Sequence, residues 1–328
     1  MGYVFEIMAT GLLKDRLRSL ALEVGFNLVG FTDPAIDPVI REAYDTWLAN
    51  KQHASMEYMK RTQEVRKNPF LLLPGVQTVI VVALSYVPMS ELVCSLAHKH
   101  GGSGVEGCVA MYAQSRDYHH VFKGMMKKFD EEARKVFTAA GLPDVEFLAA
   151  CDTKPVFEKY FAYKAGLGFI GRNSLLITKE FGSYVMLGCF LLTAELEPDA
   201  PYEGTCGNCT RCLDACPTKA LVGPRTLDSS KCIAYWTIEH RGEFPAQAPP
   251  LFGNMFGCDI CQVVCPYNKK ALGQQESPLR MRRVDDVLNV GEMLKLSEEE
   301  FRRRYSGTPL MRAGYEGMRR NAKKLKEG

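Results

Sequence analysis

The stretch CGNCTRCLDACPTKAL at residues 206–221 carries four cysteines spaced C-x2-C-x2-C-x3-C, with a proline directly after the last. A shorter copy, CDICQVVCPYN, begins at Cys258 and repeats the pattern one cysteine short, as C-x2-C-x3-C-P. Cys232 stands alone between them. Three thiols spaced by two residues wrap one face of a small cubic cluster, and the fourth, followed by proline, reaches across to a second cluster. That rule allots Cys206, Cys209, Cys212 and Cys265 to one [4Fe–4S] cluster. Cys216, Cys232, Cys258 and Cys261 go to the other, and no thiolate of the eight is left over. Zinc ribbons use two C-x2-C pairs instead, and disulfides conflict with a cytoplasmic compartment. Cys94, Cys108, Cys151 and Cys189 have no ligand spacing and read as small buried hydrophobes. One-electron carriers of this kind mark a redox enzyme or a relay within one.

The remaining bulk properties narrow the class. A chain of 328 residues holds two or three modest domains. Its longest strongly apolar run, around Val79–Val87, is too short to cross a bilayer. The N-terminus mixes acidic and basic residues into its apolar pattern and reads as a first helix, not as a signal peptide. A cytoplasmic, membrane-free monomer is the expectation. Charge is uneven. Residues 301–328 hold nine Lys/Arg against two Glu, a net +7, so the rest of a chain of net +3 sums to −4. A basic terminus is a footprint for a polyanion, or else a solvated helix end.

Periodicity predicts a helix over 10–24, a strand at 26–32, a helix over 38–51 and a fully buried strand at 77–87. A charged helix over 117–140 stops at Gly141-Leu142-Pro143, a strand covers 145–152, and a helix covers about 155–164. SLLIT and YVMLGCFLLTAEL read as a hairpin around KEFGS. Alternating strands and helices predict an α/β domain with a mixed sheet over residues 1–200. A ferredoxin-like module with two [4Fe–4S] clusters follows over 201–270, then a short helical basic segment over 271–328. GSGVEG (102–107) and GLGFIG (166–171) fit G-x-G-x-x-G but lack the strand–turn–helix context that a dinucleotide site requires. The first reads as part of a mobile loop over 98–107, the second as a tight helix-to-strand turn. DYHHVFKG (117–124) approaches the D-x-H-x-x-G motif that ligates cobalt through histidine, but Phe122 stands where glycine is required, and His119 is not assigned as a ligand.

Taken together, several stretches resemble the epoxyqueuosine reductase family along nearly the whole chain. They are RKNPFLLLPGVQTVIVVALSY (66–86), SRDYHHVF (115–122), CDTKPVFEKYFAYKAGLGFIGRNSLLITKEFGSYVMLG (151–188), GCDICQVVCPYNK (257–269) and SGTPLMRAGYEGMRRNA (306–322). The resemblance implies a cobalamin-binding α/β domain, two [4Fe–4S] clusters, and a cobalamin without a protein axial ligand. It also implies a tRNA with epoxyqueuosine at the wobble position as substrate, and an external electron donor. Asp152 matches the family's proton donor, and Arg66 a cofactor-contacting arginine. Asn173 and Ser174 lie in the segment that lines the cofactor, and Asp259, Ile260 and Gln262 should pass near the corrin. Position alone also lets Asp152 serve as a helix N-cap. Arg116, Arg319, Arg320, Lys323 and Lys324 are the candidate RNA contacts. Two departures stand out. Ala234 replaces a serine that some members carry two residues after the lone cysteine, and many members continue into a helical repeat domain where this chain stops at Gly328.

The implied reaction removes an epoxide oxygen to leave an alkene, with two electrons and two protons, and releases water. A carboxylic acid beside the departing oxygen would supply a proton, provided burial keeps Asp152 protonated near neutral pH. Two other readings compete: a dehalogenase-like corrinoid iron–sulfur reductase, and a ferredoxin-like electron-transfer subunit without chemistry of its own.

Overall fold

The computed structural model describes residues 2–87, 105–223, 225–271 and 277–328, with only the backbone of residues 2–10 and 270. Cys94 and the 98–104 part of the expected loop lie outside these residues.

Helix α1 (Gly2–Val24) ends at Gly25, whose φ of 108° only glycine adopts readily. Strand β1 (Leu28–Thr32) leads to α2 (Pro38–Ala49), capped by Asp37 accepting from the Val39 amide. Two single turns, α3 (Glu57–Arg61) and α4 (Gln63–Lys67), precede β2 (Thr78–Ser85) and β3 (Glu106–Val109). Next come α5 (Tyr118–Ala139), β4 (Phe147–Ala150) and α6 (Glu158–Lys164). Short β5 (Phe169–Ile170) and β6 (Leu176–Ile177) precede the long β7 (Val185–Leu192).

The main sheet has the order β1-β2-β7-β4, and every neighbouring pair is antiparallel. This corrects the mixed sheet expected for the first 200 residues: helices intervene between its strands, but none returns the chain to a parallel neighbour. Helices cover both faces. Ile80, Val82 and Leu84 pack with Leu17 of α1 and Phe129 of α5. Val79, Val81 and Ala83 face Phe161 and Ala165 on the α6 side. All eight residues of β2 are therefore buried, which is why the strand reads as an unbroken apolar run. Burying each Val, Leu or Ile there contributes roughly 1.5–3 kcal/mol. Helix α6 sits so close to β1 that a Cβ on Gly30 would lie 2.1 Å from the Ala165 carbonyl oxygen.

The expected hairpin is also corrected. β6 pairs with β5, not with β7, and Thr178–Gly182 forms only an isolated bridge. β7 instead matches β2 residue for residue, from Val185 opposite Ser85 to Leu192 opposite Thr78. Two long strands buried on both faces remove more apolar surface from water than a local hairpin with a two-residue strand.

After β7 come α7 (Arg211–Ala215), β8 (Leu221–Gly223), β9 (Thr226–Leu227), β10 (Asn254–Phe256) and α8 (Ile260–Val263). The C-terminal part holds β11 (Val287–Asn289), α9 (Val290–Lys295), α10 (Glu298–Tyr305) and α11 (Gly314–Glu327). A second sheet has the order β10-β3-β11, with β10 parallel and β11 antiparallel to β3. It takes one strand from each of the three segments expected to be successive domains. Val109, Phe256, Leu288, Phe301 and Met318 share its core, so these segments interleave.

The basic tail is partly structural. Arg320 is only 7% exposed. Its guanidinium donates to the carbonyl oxygens of Trp236, His240 and Gly242 at 2.8–3.1 Å. Neighbouring Asn321 donates to Thr237 O and Met255 O. These contacts corrects the reading of Arg320 as an RNA contact, because its donors are already spent on backbone oxygens next to Cys232. Burial lowers its pKa to about 10, so it stays charged at neutral pH. Arg320→Ala strips charged donors from buried carbonyls and is expected to lower stability by about 2–4 kcal/mol. Exposed Lys323→Ala should change it by less than about 0.5 kcal/mol. Anaerobic urea titrations of the two variants, compared by midpoint, check the contrast.

Candidate active site

A cavity of about 2310 Å³ opens between α2, the start of α5, the segment 152–160, the turn after Cys232 and the turn at Pro309–Arg312. Ordinary small-molecule pockets hold roughly 300–1,000 Å³, so the space suits a much larger ligand.

Asp152 projects into it. β4 ends at Ala150, and Asp152 adopts a φ of 55°, a left-handed conformation strained for a residue with a Cβ. The Thr153 amide closes the turn on the Cys151 carbonyl at 2.6 Å. Asp152 does not cap a helix: α6 starts at Glu158, its N-cap residue is Phe157, and no side chain caps it. Instead Tyr118 Oη donates to Asp152 Oδ2 at 2.8 Å, and His119 Nε2 lies 3.7 Å from the same oxygen. The Asp152 amide donates to Glu158 Oε1 at 2.9 Å. Asp117, the N-cap of α5, holds His119 Nδ1 at 2.8 Å through Oδ1.

These contacts decide where the protons sit. Burial pushes the Asp152 carboxyl up, but the nearby His119, the hydrogen bond from Tyr118 and the charge of Arg312 outweigh it, leaving it below its ordinary value. The side chain is 68% exposed to the open cavity although protein surrounds that cavity, so water still supports its charge. Asp152 is thus a carboxylate at neutral pH, against the expectation that burial keeps it protonated. The hydrogen bond to Asp117 and then the nearby Asp152 raise His119 to about 9, so it is an imidazolium. Burial and the Asp152 charge raise Glu158 to about 7.

Of the other expected cofactor residues, Arg66 and Ser174 line the cavity. Arg66 Nη1 donates to Val156 O at 2.9 Å, while Arg66 Nε and Ser174 Oγ are buried without a partner. Ser174 also takes a left-handed φ of 62°. Asn173 does not line this cavity; it borders the small space among Cys206, Cys209, Cys212 and Cys265. Asp259, Ile260 and Gln262 are absent from the cavity wall as well. Asp259 accepts from the Met111 amide and Gln262 donates to Tyr86 and Ser183, none of which lines the cavity.

The cysteines fall into two groups. Cys206, Cys209, Cys212 and Cys265 surround one small cavity with Arg172 and Arg211 at its edge. Cys216, Cys232 and Cys258 are near enough to act on one another electrostatically, and Cys261 is acted on most by Cys258 and Cys232 and less by Cys212. Of the eight, Cys232 alone borders the large cavity. Among the described residues, no three His, Cys, Asp or Glu side chains converge on a point that would hold a single metal ion. Cys151 and Cys189 are buried free thiols, as expected. Cys108 is buried but disulfide-bonded, which corrects its reading as a free hydrophobe.

Asp117, Tyr118, His119 and Glu158 were not selected from the sequence. SRDYHHVF carries the family resemblance, and DYHHVFKG approaches a cobalt-ligand motif, but neither assigns these residues a role. The available signal was an N-cap aspartate two residues before a histidine, which turns the imidazole back toward the cap.

Comparison with known proteins places the chain. A family model described as "Epoxyqueuosine reductase QueG, DUF1730" matches residues 66–153. One described as "4Fe-4S double cluster binding domain" matches 205–268. The epoxyqueuosine reductase of Pseudomonas aeruginosa is 36% identical over 94% of this chain and 83% of its own length. That of Gloeobacter violaceus is 38% identical over 94% of both. The chain belongs to the epoxyqueuosine reductase family. It is therefore an oxidoreductase, which sets aside the electron-transfer-subunit and dehalogenase readings, and its double-cluster domain supports iron–sulfur clusters. A crystal structure of an epoxyqueuosine reductase with an epoxyqueuosine-modified tRNA-Tyr stem loop superposes with a TM-score of 0.84 at 27% identity, covering 96% of this chain and 81% of that one. An epoxyqueuosine reductase from Bacillus subtilis, with its catalytic aspartate loop swung out of the active site, superposes with a TM-score of 0.82 at 26% identity and the same coverage.

Proposed function

We propose that this chain reduces the epoxide of epoxyqueuosine at the wobble position of tRNA to the alkene of queuosine. The observation that carries the reading is one cavity of about 2310 Å³ bordered by both the Asp152 carboxyl and the Cys232 thiol, a proton carrier and an electron carrier facing the same space. The relative with a modified tRNA stem loop supports the substrate.

Cys206, Cys209, Cys212 and Cys265 would hold one [4Fe–4S] cluster, and Cys216, Cys232, Cys258 and Cys261 the other. The grouping of the thiols supports this crossed assignment over a block-by-block one. An external donor would reduce the first cluster, and the second would deliver single electrons at the Cys232 edge.

The cavity also fits a cobalamin. It is large and largely walled by apolar side chains such as Ile40, Trp47 and Phe157, while Arg66 Nε and Ser174 Oγ are left without partners. A rim of amides such as a corrin carries would satisfy them, so Arg66 and Ser174 are the residues that would hold it. When bound, cobalamin supplies a cobalt centre that accepts single electrons and engages the epoxide carbon. Among the chain's own residues, Asp152 would give its proton to the departing oxygen, which otherwise leaves poorly. Substrate filling the open cavity expels the water that supports the Asp152 charge, and this raises the tendency of Asp152 to take up a proton.

The wobble base lies in a single-stranded loop and can be splayed into such a cavity. Arg116 and Lys323 are exposed, while Arg319 and Lys324 are half-buried, with Arg319 lying 5.3 Å from the Tyr315 ring. With Arg320 removed from the set, these four remain the proposed phosphate contacts. No helix among the described residues is long and apolar enough to cross a membrane.

Three outcomes test these assignments. Cys216→Ser should perturb the same cluster signal as Cys232→Ser, and Cys265→Ser the other one. Paramagnetic resonance of the reduced protein that groups Cys216 with Cys206 instead would overturn the crossing. Asp152→Asn should keep both clusters and bind cobalamin, yet slow conversion of epoxyqueuosine-tRNA by about 10²–10⁴-fold; near-normal turnover would remove Asp152 from the acid role. Replacing Arg319, Lys323 and Lys324 by Ala should weaken tRNA binding and flatten the slope of log affinity against log salt by about 0.7 per lost contact. An unchanged slope would place the RNA footprint elsewhere on the molecule.

A further inference from the structure

We propose that His119, oriented by Asp117, is the proton reservoir that loads Asp152 during turnover, a positioning role that rests on the epoxide-reduction reading above. Converting an epoxide to an alkene breaks two C–O bonds, consumes two electrons, and places two protons on one oxygen, which leaves as water. A single carboxyl holds one proton. Asp152 begins without even that one, because its neighbours keep it ionised. A donor must therefore stand behind it.

The geometry offers one. His119 Nδ1 is tied to Asp117 Oδ1 at 2.8 Å, and the same oxygen accepts the His119 amide at 3.0 Å. Asp117 is itself anchored, since its amide donates to Gly307 O at 2.8 Å. The imidazole also stacks on Tyr118, with ring centroids 4.1 Å apart. With Nδ1–H committed to Asp117, Nε2–H points to Asp152 Oδ2, 3.7 Å away. A small swing of the open Asp152 turn, or one bridging water, spans that gap.

The other charged or titratable groups around this pair are less suited. Tyr118 donates a hydrogen bond to Asp152, but burial and the Asp152 charge push its phenol far up, so it keeps its proton. Glu158 faces the Asp152 amide, not its carboxyl. Arg312 is engaged with both oxygens of Glu239 and is a fixed charge. His120 is exposed and acts on Asp117 from its far side.

In the proposed sequence, the Nε2 proton moves to Asp152 Oδ2, and Asp152 passes it to the epoxide oxygen as the first C–O bond breaks. His119 is then recharged from solvent through its partly exposed ring. A second proton follows the same route as the second C–O bond breaks and water departs. The two electrons come through the clusters.

Asp117→Asn is the discriminating variant. Asn caps a helix about as well as Asp and still accepts from Nδ1, but it removes the negative charge that favours the imidazolium. Wild-type turnover of epoxyqueuosine-tRNA is expected to hold up to about pH 9 and then fall as His119 loses its proton. In Asp117→Asn the fall should begin near neutral pH, so the ratio of variant to wild-type turnover drops about tenfold between pH 6 and pH 8. His119→Gln, which cannot carry the proton, should lose about 10²-fold at pH 8. A readout independent of turnover is the titration of His119 by NMR in substrate-free, ¹⁵N-histidine-labelled protein, which should move down in Asp117→Asn. Identical pH profiles for wild type and Asp117→Asn, or a wild-type His119 that titrates as an ordinary imidazole, overturns the proposal. A wild-type protein that leaves the epoxide intact sinks the functional reading instead, and the histidine titration still decides whether His119 holds the proton.

Discussion

A buried polar knot joins the second cysteine block to the main sheet, and the geometry of the site depends on it. Asn268 Oδ1 accepts the Ser183 amide at 2.6 Å, and Asn268 Nδ2 donates to Ser183 Oγ and Gln262 O. Gln262 Nε2 donates to Tyr86 Oη and to Ser183. All four residues are buried. Leaving any of these groups unpaired costs about 1–3 kcal/mol, so the knot admits one register. Gly182 is part of the fit, because a Cβ there would lie 2.0 Å from Asn268 Oδ1. Gln262 sits between Cys261 and Cys265, one from each thiol group. The contact that docks the cysteine module on the ends of β2 and β7 therefore fixes a member of each thiol group at once.

A second anchor holds the other side. Arg320 and Asn321 of α11 bond to the backbone around Trp236, Thr237 and His240, directly after Cys232. The C-terminal helix thereby steadies the one thiol that borders the cavity. Positive charge in the tail has two uses: Arg320 is consumed by structure, while Lys323 remains on the surface.

Within the cavity, openness and charge work against each other. Asp152 is surrounded by protein but still wet, and a histidine, a tyrosine and an arginine favour its ionised form. Its left-handed backbone is held by contacts from Tyr118 and Glu158. A strained turn secured by only a few polar contacts stores part of its cost in those contacts.

The sequence by itself determined what depends on short-range spacing. Cysteine intervals, the apolar run Val79–Leu84 within β2, the Gly25 helix stop and the family motifs around Asp152 are all local patterns, and the structure keeps them. Tertiary structure alone decided what depends on long-range pairing. β7 chose β2 over its sequence neighbour, and β3, β10 and β11 met from three distant segments. Strand direction and partner follow from which apolar faces can be covered together, and that information is spread over the whole chain. The proton map is the clearest case. Asp152 reads as an acid from its motif, yet its charge is favoured by His119 and Tyr118, 33 and 34 positions away in the chain but 3.7 and 2.8 Å away in space, and by the charge of Arg312, 160 positions away. Electrostatic energy falls with distance through space, not along the sequence, so no local pattern could have shown it.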